Sequence, residues 1–357
     1  MKFDKIALSY ILMSYLIIFS LSRRITRTKD DITRNYKTAS FIKNFADKLV
    51  NGGCNGYVTK EISAANPLIE SYTIAKPKDD IPEEFKSKVQ KVFLLFGEHP
   101  RELVAGQTGF KFLEYICSKA HLSKKDEENL LNIAKFKIIL NANPTGRSYL
   151  ETNKNDANKV QKRSNARDID LNRNWPLGFV KFTSREAILK KKLDQDYGGA
   201  SAFSEPETVA IKDSIDSFKP RVFLTVHSGM EVLMMPYGYK ETQVEETNYN
   251  NMIGVLNDIK NNHCSKCKVG PLSAVLGYAS GGNCLDYAYE CLGVPYAFAW
   301  EIYAGPSTAT TIEQFTPNGL FNINDVTKNW VSAIERMTKS IWKISDDGIR
   351  RAPSTEC

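Results

Sequence analysis

Lys91-Val92-Phe93-Leu94-Leu95-Phe96-Gly97 runs directly into Glu98-His99-Pro100-Arg101-Glu102. From Val92 the run is apolar without alternation, which reads as a strand buried on both faces, as in parallel sheets. Residues 136–143, 221–227 and 295–302 have the same character, while 102–120, 205–218, 244–262 and 323–344 carry helical spacing. Ser204-Glu205-Pro206-Glu207 predicts a helix start, with Ser204 as capping hydroxyl and a proline in the first turn. Strand–helix alternation of this kind predicts an α/β fold, a three-layer α/β/α sandwich around a twisted, mostly parallel or mixed sheet. Residues 145–192 break the rhythm, being polar, rich in Asn and Lys, and weakly periodic. A loop of that length inside a compact domain is functional or disordered, and it holds the densest motif in the chain, Asp168-Ile169-Asp170-Leu171-Asn172-Arg173-Asn174-Trp175.

The body of the chain is nearly neutral. Net charge is +7, but most of it sits in residues 23–43, where seven basic side chains meet two acidic ones. That distribution argues against a nucleic-acid-binding body. Lys2 and Lys5 precede an apolar run over 6–21, and Ser20-Leu21-Ser22 supplies small residues for cleavage, the order of a secretory signal peptide. The run is shorter than the ~20 residues of a spanning helix, although the charge that follows it keeps an uncleaved signal anchor as an alternative. The expected organisation is a signal peptide over 1–22, a basic leader over 23–40, one catalytic domain over 41–345 and a tail over 346–357. A secreted, lumenal or vacuolar destination follows, with no stable membrane insertion after cleavage. Export favours disulfides among the seven cysteines over a thiolate zinc site at Cys264, Cys267, Cys284 and Cys291. The odd count leaves at least one thiol unpaired within the chain, and spacing does not give the connectivity. No permitted Asn-x-Ser/Thr sequon occurs.

His99 and Glu102, three residues apart where a strand turns into a helix, can face one point and bind a divalent metal together. Parallel-sheet enzymes gather their sites at the carboxyl edge, so a third ligand should end another strand. Among four histidines, His227 does so, closing the apolar run 222–226. Two histidines and a carboxylate leave a fourth position open, the arrangement of a catalytic zinc. His121 and His263 lie in polar helical stretches and read as surface residues. Glu301 follows the apolar run 296–300, where a carboxylate serves no packing purpose, and is the candidate base. Arg173 beside Asn172 offers a fork that can hold a carboxylate bidentately.

His99-Pro100-Arg101-Glu102, Asn143-Pro144-Thr145-Gly146, Asp170-Leu171-Asn172-Arg173-Asn174-Trp175, Phe203-Ser204-Glu205-Pro206-Glu207-Thr208, His227-Ser228-Gly229 and Glu301 resemble, in this order, the M14 zinc carboxypeptidase family, over roughly residues 40–345. Within it the chain looks similar to a plant and protist branch of carboxypeptidase A-like proteins. The resemblance implies one zinc per chain held by His99, Glu102 and His227, with Asp170 fixing the His99 tautomer. It implies that Asn172 and Arg173 grip the C-terminal carboxylate of a peptide or protein substrate and that Arg101 contacts its penultimate part. Arg163 would stabilise the oxyanion, and Glu301 would move the proton from the attacking water to the leaving amine. Tyr278 would be the mobile substrate-closing tyrosine, in a register counted from Asp286. A register on Ala279-Ser280-Gly281 would put Gly277 there instead.

In the Asp286 register Leu285 lies at the base of the side-chain pocket and Gly238 on its wall. Neither is acidic, so apolar C-terminal residues are the expected substrates. Fewer than twenty residues separate Ser22 from the expected first helix, too few for a folded inhibitory prosegment of ~80 residues. A monomer active as made is the expectation. The rival readings are an inactive peptide- or carboxylate-binding protein on the same fold, and an amidase or deacylase on the same scaffold. Loss of Glu301 or a ligand would signal the first, and loss of the Asn172–Arg173 pair the second.

Overall fold

The computed structural model describes residues 35–306, 312–345, 347–349 and 357. The expected signal peptide, most of the leader and most of the tail lie outside these residues. Eight strands form one mixed sheet: β1 (Val58–Ile62), β2 (Glu70–Ile74), β3 (Gln90–Phe96), β4 (Ala134–Ile139), β5 (Val222–His227), β6 (Glu231–Met235), β7 (Lys268–Pro271) and β8 (Tyr296–Ile302). Their order is β1-β2-β4-β3-β5-β8-β6-β7. The central strands β4, β3, β5 and β8 are parallel neighbours, while β1 and β2 on one flank and β6 on the other join antiparallel. The four central strands are those whose apolar runs stand out in the sequence. β1, β2, β6 and β7 are missing from that reading: they are short and polar at one end, and their patterns lie below what periodicity resolves.

The longer helices are α1 (Ala39–Val50), α2 (Leu103–Ile116), α3 (Pro144–Thr152), α4 (Arg185–Leu193), α5 (Pro206–Phe218), α6 (Glu246–His263) and α7 (Leu320–Trp342). Register shows which face each covers. Phe96, Val226 and Trp300 share one row across β3, β5 and β8. Phe96 packs under Gly109 of α2, and Trp300 meets Trp330 of α7 with ring centroids 5.7 Å apart. Phe93 points the other way, stacking on Phe223 and meeting Phe218 of α5. Helices thus cover both faces, and the expected three layers are present. At Gly109 a methyl group would come within 2.6 Å of the Phe96 ring, so only glycine lets α2 lie this close to the sheet.

Three sequence expectations need correction. Residues 145–192 are not one loop, because α3, α4 and the short turns Lys159–Gln161 and Leu171–Arg173 order them. Ser204 does not cap α5: Glu205 holds the cap position, and the Ser204 hydroxyl instead bonds Glu205 Oε1 at 2.8 Å and receives Asn174 Nδ2 at 2.9 Å. His121 is not at the surface but 1% exposed, its Nε2 accepting the Leu130 N–H at 3.2 Å and its ring against Tyr115. The expected preference for disulfides over a thiolate zinc site holds: Cys264 pairs with Cys267, Cys54 with Cys117, and Cys291 with Cys357, leaving Cys284 as the buried free thiol. The Cys291–Cys357 bridge also ties the last residue of the expected tail to the folded body.

Candidate metal centre and catalytic site

Gly97, at φ +79°, turns the chain sharply off β3 and lies against Asn141, where a side chain would crowd the backbone at 3.2 Å. Asn143 then secures the turn, donating to the Glu98 carbonyl at 3.0 Å while capping α3 through Gly146 N–H at 2.9 Å. The turn delivers His99 and Glu102 to the end of β5, where His227 pairs in register with Glu301 on β8. His99 Nδ1 lies 2.8 Å from Glu102 Oε1, His227 Nδ1 lies 3.1 Å from Glu102 Oε2, and the two Nδ1 atoms are 3.1 Å apart. All three side chains are buried, and their ligand atoms fall within 4.8 Å of one another.

This donor set fits zinc. Two imidazole nitrogens and a carboxylate converge on one point, and each ring turns its other nitrogen to a carboxylate, as metal-ligating histidines do. His99 Nε2 is 3.1 Å from Asp170 Oδ1, and His227 Nε2 is 3.1 Å from Glu98 Oε2. Beside the cluster, Glu301 has its Oε2 enclosed and without a hydrogen-bond partner among the described residues. Burial and then the neighbouring Glu102 charge push the Glu301 pKa up to about 7. A dication on the ligands would cancel the Glu102 contribution and draw it down again.

Arg163 lies on the same side, its Nε donating to Asp170 Oδ2 at 2.8 Å and its Nη1 3.6 Å from Glu102 Oε1. Asn172 and Arg173 occupy a tight turn whose first residue-pair contact is Asn172 N–H to Asp170 Oδ1 at 2.9 Å. Both are half-buried. The Arg173 backbone is held between Gly198 and Gly282, since a side chain on either would strike the Arg173 carbonyl. Asn174 anchors the turn from below with bonds to Gly198 O, Ser201 O, Glu205 N and Thr208 Oγ1. The densest motif of the sequence therefore divides into the half-buried pair Asn172–Arg173 and the buried scaffold of Asp170, Leu171, Asn174 and Trp175.

Arg101 faces the Phe315 ring at 3.9 Å from guanidinium carbon to centroid, and burial and then Arg163 lower its pKa to about 10, leaving it charged at neutral pH. Tyr278 is 57% exposed on the segment after a short helix that Gly277 terminates at φ +79°. Gly277 is thus occupied with capping, while Tyr278 presents an exposed aromatic side chain. Leu285 and Gly238 are both buried. Between them stands Asp286, 0% exposed, which accepts Gly238 N–H at 2.9 Å, Tyr239 N–H at 2.8 Å and Asn283 Nδ2 at 2.8 Å. Three donors of the protein thus already serve it.

Glu98 and Phe315 escaped the sequence reading. Glu98 was legible in principle, because a carboxylate ending an apolar strand is the signal that exposed Glu301. Phe315 was not, since its position over Arg101 and beside Gly229 depends on a loop with no periodic pattern.

A mixed sheet sandwiched by helices thus carries a His–Glu–His cluster at the ends of its central strands. The chain belongs to the zinc carboxypeptidase family, whose model (Peptidase M14) matches residues 62–321. Among curated proteins it is 31% identical to carboxypeptidase A2 of Rattus norvegicus over 59% of this chain and 50% of the relative. It is 29% identical to carboxypeptidase A6 of Homo sapiens over 59% of this chain and 48% of that one. The chain thus spans about half the length of the curated relatives it matches. Among solved structures, carboxypeptidase A from Helicoverpa armigera aligns with a TM-score of 0.69 at 18% identity, covering 87% of this chain and 75% of the other. Thrombin activatable fibrinolysis inhibitor aligns with the same TM-score at 17% identity, covering 89% and 77%. At such identities these structures speak for the fold alone.

Proposed function

We propose that this protein is a zinc-dependent metallocarboxypeptidase that removes single residues from the C-terminal ends of peptides or proteins. The observation that carries this reading is the meeting of His99, Glu102 and His227 with Glu301 at one sheet edge, beside the half-buried Asn172–Arg173 pair. His99, Glu102 and His227 would hold one zinc per chain, which would supply Lewis acidity for the hydrolysis. Arg173 and Asn172 bind the terminal carboxylate, which restricts cleavage to the last peptide bond. Arg163 faces the oxygen that gains charge as the carbonyl becomes tetrahedral. Glu301 accepts a proton from the water as it adds to the carbonyl carbon. As the C–N bond breaks, Glu301 returns that proton to the leaving amine. Asp170 holds His99 with Nδ1 free for the metal, Arg101 contacts the preceding part of the substrate, and Tyr278 closes over its end.

Peptides with a free C-terminus should lose their last residue, while the same peptides amidated at the C-terminus should be spared. Chelation should abolish the activity and added zinc restore it, and His227→Ala should retain no stoichiometric metal. Full activity in metal-free protein, or equal cleavage of amidated peptides, overturns the reading, the latter in favour of an amidase or deacylase.

Apolar C-terminal residues are the proposed preference. The acid near Leu285 and Gly238 is Asp286, which is 0% exposed and turned to Gly238 N–H, Tyr239 N–H and Asn283 Nδ2, and neither Leu285 nor Gly238 supplies a partner for an incoming cation. Burying an unpaired ammonium or guanidinium costs several kcal/mol. Matched peptides ending in Phe or Leu should therefore exceed those ending in Lys or Arg in kcat/KM, and Leu285→Asp should move preference toward the basic ends. Better cleavage of basic ends by the wild type rules out the pocket assignment and leaves the metal assignment untouched.

An oxidising compartment is the proposed setting. Three disulfides suit export, and no helix among the described residues is long and apolar enough to cross a membrane. A signal peptide over 1–22 and a monomeric catalytic domain over 41–345 complete the proposal.

A further inference from the structure

Glu98 is 1% exposed at the end of the central strand β3, a position where a carboxylate gains nothing from packing and loses its hydration. Its Oε2 is nonetheless crowded with donors. The Thr225 hydroxyl donates to it at 2.8 Å, the Cys284 thiol at 3.4 Å, and His227 Nε2 stands 3.1 Å away. Thr225 Oγ1 is also 2.9 Å from His227 Nε2, so the ring N–H is shared between the hydroxyl and the carboxylate that the hydroxyl itself serves. Glu98 Oε1 has no hydrogen-bond partner among the described residues. A buried carboxylate with one oxygen unserved is unfavourable unless a cation stands nearby, and of the three groups at its Oε2 the ring of His227 is the one that can carry positive charge.

We propose that Glu98 is a positioning residue for the metal centre: its carboxylate, with Thr225, holds His227 in the tautomer protonated at Nε2, leaving Nδ1 free for the metal. This rests on the zinc reading above. It gives His227 the counterpart of what Asp170 gives His99, so each ring has a carboxylate behind it. The two supports come from different segments of the chain. Asp170 comes from the motif loop, and Glu98 from the residue directly preceding His99. Cys284 links this support to the substrate side, because its thiol donates to Glu98 while its backbone N–H donates to Asn172 Oδ1 at 3.0 Å. The free cysteine is then explained as a donor that must stay reduced, small and buried.

The test reads tautomer and metal affinity, neither of which requires turnover. Because carboxylates face both nitrogens of His227 in the metal-free protein, wild type labelled with 15N-histidine is brought to a pH at which the ring carries a single proton; with His227 assigned by comparison with His227→Gln, that proton should sit on Nε2. In parallel, zinc affinity is measured by chelator competition for wild type, Glu98→Gln and Glu98→Leu. Loss of a support behind a metal-bound histidine typically weakens binding about 10–100-fold, and Glu98→Leu should fall in that range with Glu98→Gln between it and wild type. A singly protonated His227 ring with its proton on Nδ1 in the wild type overturns the proposal whatever the variants do, and so does wild-type zinc affinity in Glu98→Leu. Should Glu98→Leu not fold, the tautomer still decides. Failure of wild type to bind zinc at all would instead count against the zinc reading, so the two failures are distinguishable.

Discussion

Glu301→Gln should lower turnover by about 10²–10⁴-fold, the usual range for losing a general acid–base group, while leaving zinc content unchanged. The amide keeps the size of the side chain, and the ligands His99, Glu102 and His227 hold one another without it. What the amide cannot do is accept a proton. The wild-type Oε2 is enclosed and unbonded among the described residues, so no structural contact at that oxygen is lost by the exchange. A purely packing role for Glu301 therefore predicts near-normal turnover, whereas base catalysis predicts the large loss. Release of a C-terminal Phe from a short peptide, measured with metal content on the same preparation, separates the two. Wild-type turnover in Glu301→Gln would remove this residue from the mechanism.

The site was more legible in the sequence than the fold around it, for physical reasons. The central strands are buried on both faces and must be apolar throughout, so 91–97 and 221–227 announced themselves. Their ends then marked His99, His227 and Glu301 as polar residues where packing asks for none. β1, with only Val58 of its five residues buried, carries no such signature, and the antiparallel flanks went unread with it. Ser204 shows a second limit: a hydroxyl before Glu-Pro-Glu is a good capping signal, yet Asn174, distant in sequence, competes for it. His121 shows a third, since its burial comes from Tyr115 and the turn at Leu130 and not from its own polar neighbours in sequence. Each miss is a tertiary contact overruling a local pattern.

Arg163→Ala should reduce kcat/KM by about 10²–10³-fold, the cost of removing one preorganised oxyanion donor, and should also destabilise the protein. The second effect arises because Asp170, 0% exposed, would lose its partner at 2.8 Å. Breaking a fully buried pair from one side costs about 3–5 kcal/mol, and since the Arg163 side chain is 17% exposed the loss should fall at or below the lower end. Arg163→Lys separates the two roles. An ammonium can return a positive charge to Asp170 and recover much of the stability, but it cannot bond Asp170 through one nitrogen while presenting another to the substrate. The lysine variant should therefore unfold in urea near the wild-type midpoint while its kcat stays depressed with KM little changed, the pattern of an interaction made in the transition state. If Lys restores kcat together with stability, Arg163 serves only to neutralise Asp170, and the oxyanion must be stabilised by other groups.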